Sequence, residues 1–86
     1  MTQKEIDKFL ADTKVYVAGK SKEIQEKLFS LGYEWCGKVN KVHLTEKPFL
    51  FIHHNHKEIT WGNDMQEFTT HDFREITAEE VLSLLN

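Results

Sequence analysis

One cysteine, Cys36, stands alone in the 86 residues, which excludes an intrachain disulfide and any metal site built from several thiolates. One proline and four glycines leave too little material for a long flexible linker. No apolar run approaches the ~20 residues needed to cross a bilayer. The opening MTQKEIDKFLADTK is too polar for the hydrophobic stretch of a signal peptide, so a cytoplasmic protein is expected. Excess positive charge is also missing. A net charge of −3 and a pI near 5.9 weigh against a main role in nonspecific binding of duplex nucleic acid, where affinity comes from neutralising phosphates. No glycine-rich run precedes a helix. Gly19-Lys20-Ser21 looks like the end of a phosphate-binding loop, but Lys14 occupies the place of the first glycine that such a loop requires.

What is present is enough for one packed core. The chain is 40% hydrophobic, with six Phe, two Tyr and two Trp, and is too short to divide into two stable units. A single domain over 1–86 is expected, with residues 1–13 as a helical extension of an α+β core. Ile6, Phe9 and Leu10 recur at helical spacing, and Thr2 with Glu5 forms a capping box. Residues 14–18 (KVYVA) alternate as a strand, with Val15 and Val17 on one face and Tyr16 on the other. Ser21 is placed to cap a helix that sets Ile24, Leu28 and Leu31 on one side, and Gly32 is suited to end it. Residues 33–36 form a short strand, and 37–47 either a polar loop or, through Val39, Val42 and Leu44, an extension of that strand. The run Phe49-Leu50-Phe51-Ile52 is the strongest strand, returning through Asn55-His56 to the strand 58–61. Residues 65–72 read as loop anchored by Phe68, and 73–76 as a last strand. Thr77 and Glu80 form a second capping box, opening a helix that turns Val81, Leu82, Leu84 and Leu85 inward. The strands cluster in the middle, which favours a small, mostly antiparallel sheet of four or five strands packed by helices near 21–31 and 77–85.

The 49–52 run is apolar on both sides. A sheet with one wet face alternates instead, so either the N-terminal helix covers the second face or that face meets a partner.

No residue set matches a reaction centre, and a non-enzymatic protein is expected. Five histidines, three within His53-His54-Asn55-His56, raise the question of a metal. His53 and His54 point to opposite faces of a strand, and no third ligand joins His54 and His56, so neither a metal nor a cofactor is expected. Cys36, on a short strand with no helix N-terminus behind it, reads as a buried structural thiol. The aromatics are the better candidates for binding. Tyr16, Tyr33, Trp35 and Trp61, with Lys38 and Lys41, are the candidate contact residues, joined by Phe68 and by Lys14, Lys20 and Lys47 as further sources of positive charge. Trp61, just before Gly62-Asn63-Asp64, is the one most expected to be accessible.

The strand from Val15, the helix ending in LFSLGYEW, the FLFI strand and the closing EIT-EE-L segment resemble small uncharacterised α+β proteins of bacteriophages and prophages. The resemblance spans 14–85, and its motifs are structural. It implies a phage-like setting in which such a protein binds a host or phage protein noncovalently and can thereby block an antiviral defence component. An acidic surface suits a basic partner. The alternative expectation is a nucleotide or single-stranded nucleic acid held by an aromatic and lysine surface. A homodimer through an edge strand is a further expectation.

Overall fold

The computed structural model describes residues 1–85. Helix α1 (Gln3–Leu10) begins with the Thr2–Glu5 capping box and buries Ile6 and Leu10. Two residues later the chain enters β1 (Thr13–Tyr16), turning on Asp12, whose φ is +52°. Helix α2 (Ser21–Ser30) follows, then β2 (Glu34–Trp35), β3 (Phe49–His53) and β4 (Glu58–Gly62). Helix α3 (Met65–Thr70), β5 (Arg74–Ile76) and α4 (Ala78–Leu82) complete the chain.

The five strands make one sheet in the order β2-β4-β3-β1-β5. The α+β class matches the sequence expectation, but the sheet is mixed rather than mostly antiparallel. The inner pairings, β1 with β3 and β3 with β4, are antiparallel, and the outer pairings, β1 with β5 and β2 with β4, are parallel. Each edge strand is short and follows a helix: α2 carries the chain from β1 to β2 and α3 from β4 to β5, and each such crossover returns a strand in the same direction.

Register sorts the side chains into two layers. Val15 lies opposite Leu50 and Ile52 opposite Ile59, so these residues share one face. They join Ile6, Leu10, Ile24, Leu28, Ile76 and Val81 in the main core. On the other face, Phe49 and Phe51 pack with Phe68 and Phe73. The expectation that the N-terminal helix covers this second face is therefore corrected: α1 lies with α2 and α4, and α3 covers the phenylalanines. Residues 65–70 are helix, not loop. Asp64 supplies the cap, its carboxylate accepting from the Gln66 N–H at 2.9 Å, and Phe68 holds the turn down by stacking on Phe49 with centroids 4.3 Å apart. Gly62 belongs to this layer because a Cβ there would come within 3.0 Å of the Phe51 ring.

Lys14 is placed on this second face by strand alternation and is buried. Its ammonium donates to the carbonyls of Phe68, Thr69 and His71, giving the C-terminal end of α3 the cation that its dipole favours. That use removes Lys14 from the set of surface lysines.

Helix α2 ends as the sequence implies. Gly32 has φ +95°, and the Tyr33 N–H bonds the Leu28 carbonyl at 2.9 Å while the Gly32 N–H bonds that of Phe29, a Schellman ending. Substitution Gly32→Ala is expected to cost about 1–2 kcal/mol, because a Cβ in the left-handed region strains the backbone; thermal denaturation reads it. The start of α2 differs from expectation. Ser21 is the first helical residue rather than the cap, and its hydroxyl faces inward to accept from the Gln25 amide at 2.9 Å. At the far end, Val81 and Leu84 are buried as expected, whereas Leu85 is 71% exposed, because the helix stops at Leu82.

Candidate functional site

Gln25 organises the region around Trp61. It is buried on α2, yet every polar atom of its amide is used. Its nitrogen donates to Ser21 Oγ and to the His43 carbonyl, and its oxygen accepts from Trp35 Nε1 at 3.2 Å and from the His43 N–H at 3.1 Å. A buried amide left unpaired is costly, so the two bonds to His43 fix where the 37–47 loop meets α2. The loop is pinned against α2 with His43 edge-on to Trp35, the ring centroids 4.8 Å apart. The sequence placed Gln25 on a helix but gave no sign of its partners, which lie 10 and 18 residues away.

The expected contact residues separate into two groups. Tyr33 and Trp35 are 2% and 3% exposed; they belong to the core and offer no open ring face. The Tyr33 hydroxyl donates to Asp7 at 3.0 Å, and burial followed by the Asp7 charge pushes its pKa up. Tyr16 and Trp61 are exposed, at 52% and 42%. Tyr16 pairs with Phe49, on the α3 side, while Trp61 pairs with Leu50, on the opposite face. The two open rings therefore cannot serve one stacking platform. Lys38 and Lys41 are both exposed. Lys38 lines an open depression of about 400 Å³ with Glu34, Gly37, His56 and Glu58.

Trp61 borders a smaller depression of about 180 Å³, lined by Trp35, Cys36, His43, Leu44, Ile59 and Thr60. Small-molecule sites usually enclose about 300–1,000 Å³, so this hollow suits one side chain rather than a whole cofactor. Lys47 Nζ lies 4.2 Å from the Trp61 ring centroid, a cation–π contact that covers one face of the indole. The loop also concentrates charge. Residues 37–47 hold three lysines against one glutamate, a net +2, while the rest of the chain holds eight basic and thirteen acidic side chains, a net −5.

Cys36 is exposed rather than buried, because β2 ends at Trp35 and the chain turns away. A hydrogen bond to Glu58, reinforced by that carboxylate's charge, raises the pKa of the thiol, which keeps it in the poorly nucleophilic thiol form. Among the described residues, no group of three or more His, Cys, Asp or Glu converges to hold a metal. His54 is instead tied to Asp12 at 2.9 Å. His53 bonds Thr60 Oγ1 at 2.9 Å and meets the Phe73 ring edge-on.

Desolvation lowers the pKa of His53, helped by His71 and opposed by Asp12 and Glu58. A base whose folded pKa is depressed binds its proton less readily than the unfolded chain does. Its contribution to stability is thus present above the ordinary value near 6.5 and is lost as pH falls below it. Denaturation midpoints are expected to drop as pH falls below about 6.5, with a shallower slope in His53→Gln.

Among the described residues no helix is long and apolar enough to cross a membrane. No family model, curated protein or solved structure matches this chain.

Proposed function

We propose that this chain is a non-catalytic binding protein that contacts a protein partner through the surface around Trp61. The observation that supports it most directly is the exposure of Trp61 beside an apolar hollow, the one other exposed aromatic among the described residues, Tyr16, lying on the opposite face of the sheet. Tryptophan dominates interface hot spots because it brings large contact area at low entropic cost. The neighbouring Lys47 and the basic loop give the surface a sign. In the phage-like setting implied by the resemblance, the partner is a host or phage protein and occupation of its working surface is the output.

Recognition of a nucleotide or single strand is the second reading, favoured by the lysines of the 37–47 loop. It draws less support, since Tyr33 and Trp35 are buried and Tyr16 lies across the sheet from Trp61.

Affinity capture with the intact chain as bait tests the first reading. One dominant protein partner is expected, and Trp61→Ala is expected to weaken it by about 2 kcal/mol or more, roughly 30-fold. Tyr16→Ala should leave it unchanged. Equal retention by both variants would remove Trp61 from the contact, and quenching of Trp61 fluorescence by a nucleotide panel would move the second reading to first place.

A further inference from the structure

We propose that the partner presents an extended acidic segment, which adds as a strand to the open edge of β4 beside Trp61. This rests on the reading that Trp61 is the contact surface.

The open edge follows from where β2 stops. The Cys36 N–H donates to the Ile59 carbonyl at 3.1 Å, so the outward groups of Ile59 are used. Beyond that point the chain turns off through Gly37 (φ +93°) and Lys38 (φ +64°) and doubles back, Val39 bridging to Trp35. Pairing between β2 and β4 covers only Glu34 with Glu58 and Trp35 with Ile59. Trp61 stands two residues past Ile59, so its backbone N–H and carbonyl point to the same outer side. No described strand pairs with Trp61 there. An added strand finds two main-chain bonds at this residue, the mode in which backbone bonds give affinity and alternate side chains give specificity.

The side-chain demands are set by the same register. Trp61 and Ile59 lie on one face, and the 180 Å³ hollow they border is lined by Trp35, His43 and Leu44. One aliphatic side chain of the incoming strand fits there. Two residues away along that strand, its next side chains on this face reach the basic loop, where Lys47 stands over the indole and residues 37–47 carry a net +2. Carboxylates at those positions complement the loop and would be repelled by the acidic remainder of the chain. A second copy of this protein is a poor occupant, because antiparallel self-pairing about Trp61 would bring two such loops together. A nucleobase is also poorly served, since Lys47 takes one face of the indole.

The test is a selection of random heptapeptides on the intact protein, followed by titration of the enriched peptides as synthetic molecules with the heat of binding as readout. Enrichment of an aliphatic residue flanked at i−2 and i+2 by Asp or Glu is expected. Affinity should fall at least tenfold for Lys47→Glu and at least tenfold when the peptide amides facing Trp61 are N-methylated. Trp61→Phe, which preserves bulk, serves beside Trp61→Ala to separate contact loss from misfolding. Binding that needs Trp61 but ignores N-methylation overturns strand addition and leaves the Trp61 surface standing. Binding indifferent to both Trp61 variants overturns both readings. Enrichment of basic peptides, or of none, overturns the acidic strand alone.

Discussion

Phe68→Ala is expected to destabilise the domain by about 3–5 kcal/mol, the range for truncating a buried phenylalanine side chain. The reason is positional. Phe68 is the single buried residue of α3, and it stacks on Phe49 at 4.3 Å and meets Phe51 at 6.1 Å. Without it, six residues of helix keep only the Lys14 bonds to their last carbonyls, too little for a segment this short to hold itself together. The second face of the sheet would then open. Urea denaturation should show the loss in stability, and a dye that binds exposed apolar surface should light up below the unfolding midpoint. A change under 1 kcal/mol would mean that α3 does not cover the phenylalanines. Lys14→Met is the companion experiment, because it removes the cation from the C-terminal end of α3 while preserving volume.

The second large effect is expected for Gln25→Leu. The substitution keeps the volume and helix propensity close to native but leaves Trp35 Nε1 and the His43 N–H and carbonyl without their partner. A buried donor left unpaired costs about 1–3 kcal/mol. The His43 groups are partly buried and regain water, so a total near 2–3 kcal/mol is expected. Hydrogen exchange across 37–47 should accelerate while that of β3 is unchanged. Gln25→Glu should be no milder, since it buries a carboxylate without a cation and sets one of its oxygens against the His43 carbonyl. If the surface around Trp61 is the contact, partner affinity should fall in both variants, because this amide makes two of the bonds that hold the loop carrying Leu44 and Lys47. Unchanged exchange in Gln25→Leu would show that the loop is fixed by something else.

Most of the elements were legible because they rest on local chemistry. Both capping boxes, Thr2 with Glu5 and Thr77 with Glu80, form as spaced, and Gly32 ends α2 by the left-handed geometry that its lack of a Cβ permits. The doubly apolar 49–52 run left open whether its second face meets a helix or a partner, and in the structure both faces are buried. Helix α3 was hidden because Thr69 and Thr70 are weak helix formers and six residues are too few to show a period. Its signal was present in Asp64, a cap residue with Glu67 three positions on. The candidate site was legible only in part. Trp61 was expected to be accessible and is, but Tyr33, Trp35 and Lys14 are buried, and an aromatic or a lysine carries no local mark of which layer it will enter.

By itself the sequence determined the class of fold, both capping boxes, the Gly32 ending of α2 and the alternation that gives Val15 and Tyr16 opposite faces, because each depends on contacts within a few residues. Which helix covers which face, which lysine is spent on a helix end and which tryptophan stays open were decided by tertiary structure alone. Those outcomes depend on strand order and on bonds across long separations, such as Lys14 to the carbonyls of α3, 54 to 57 residues away.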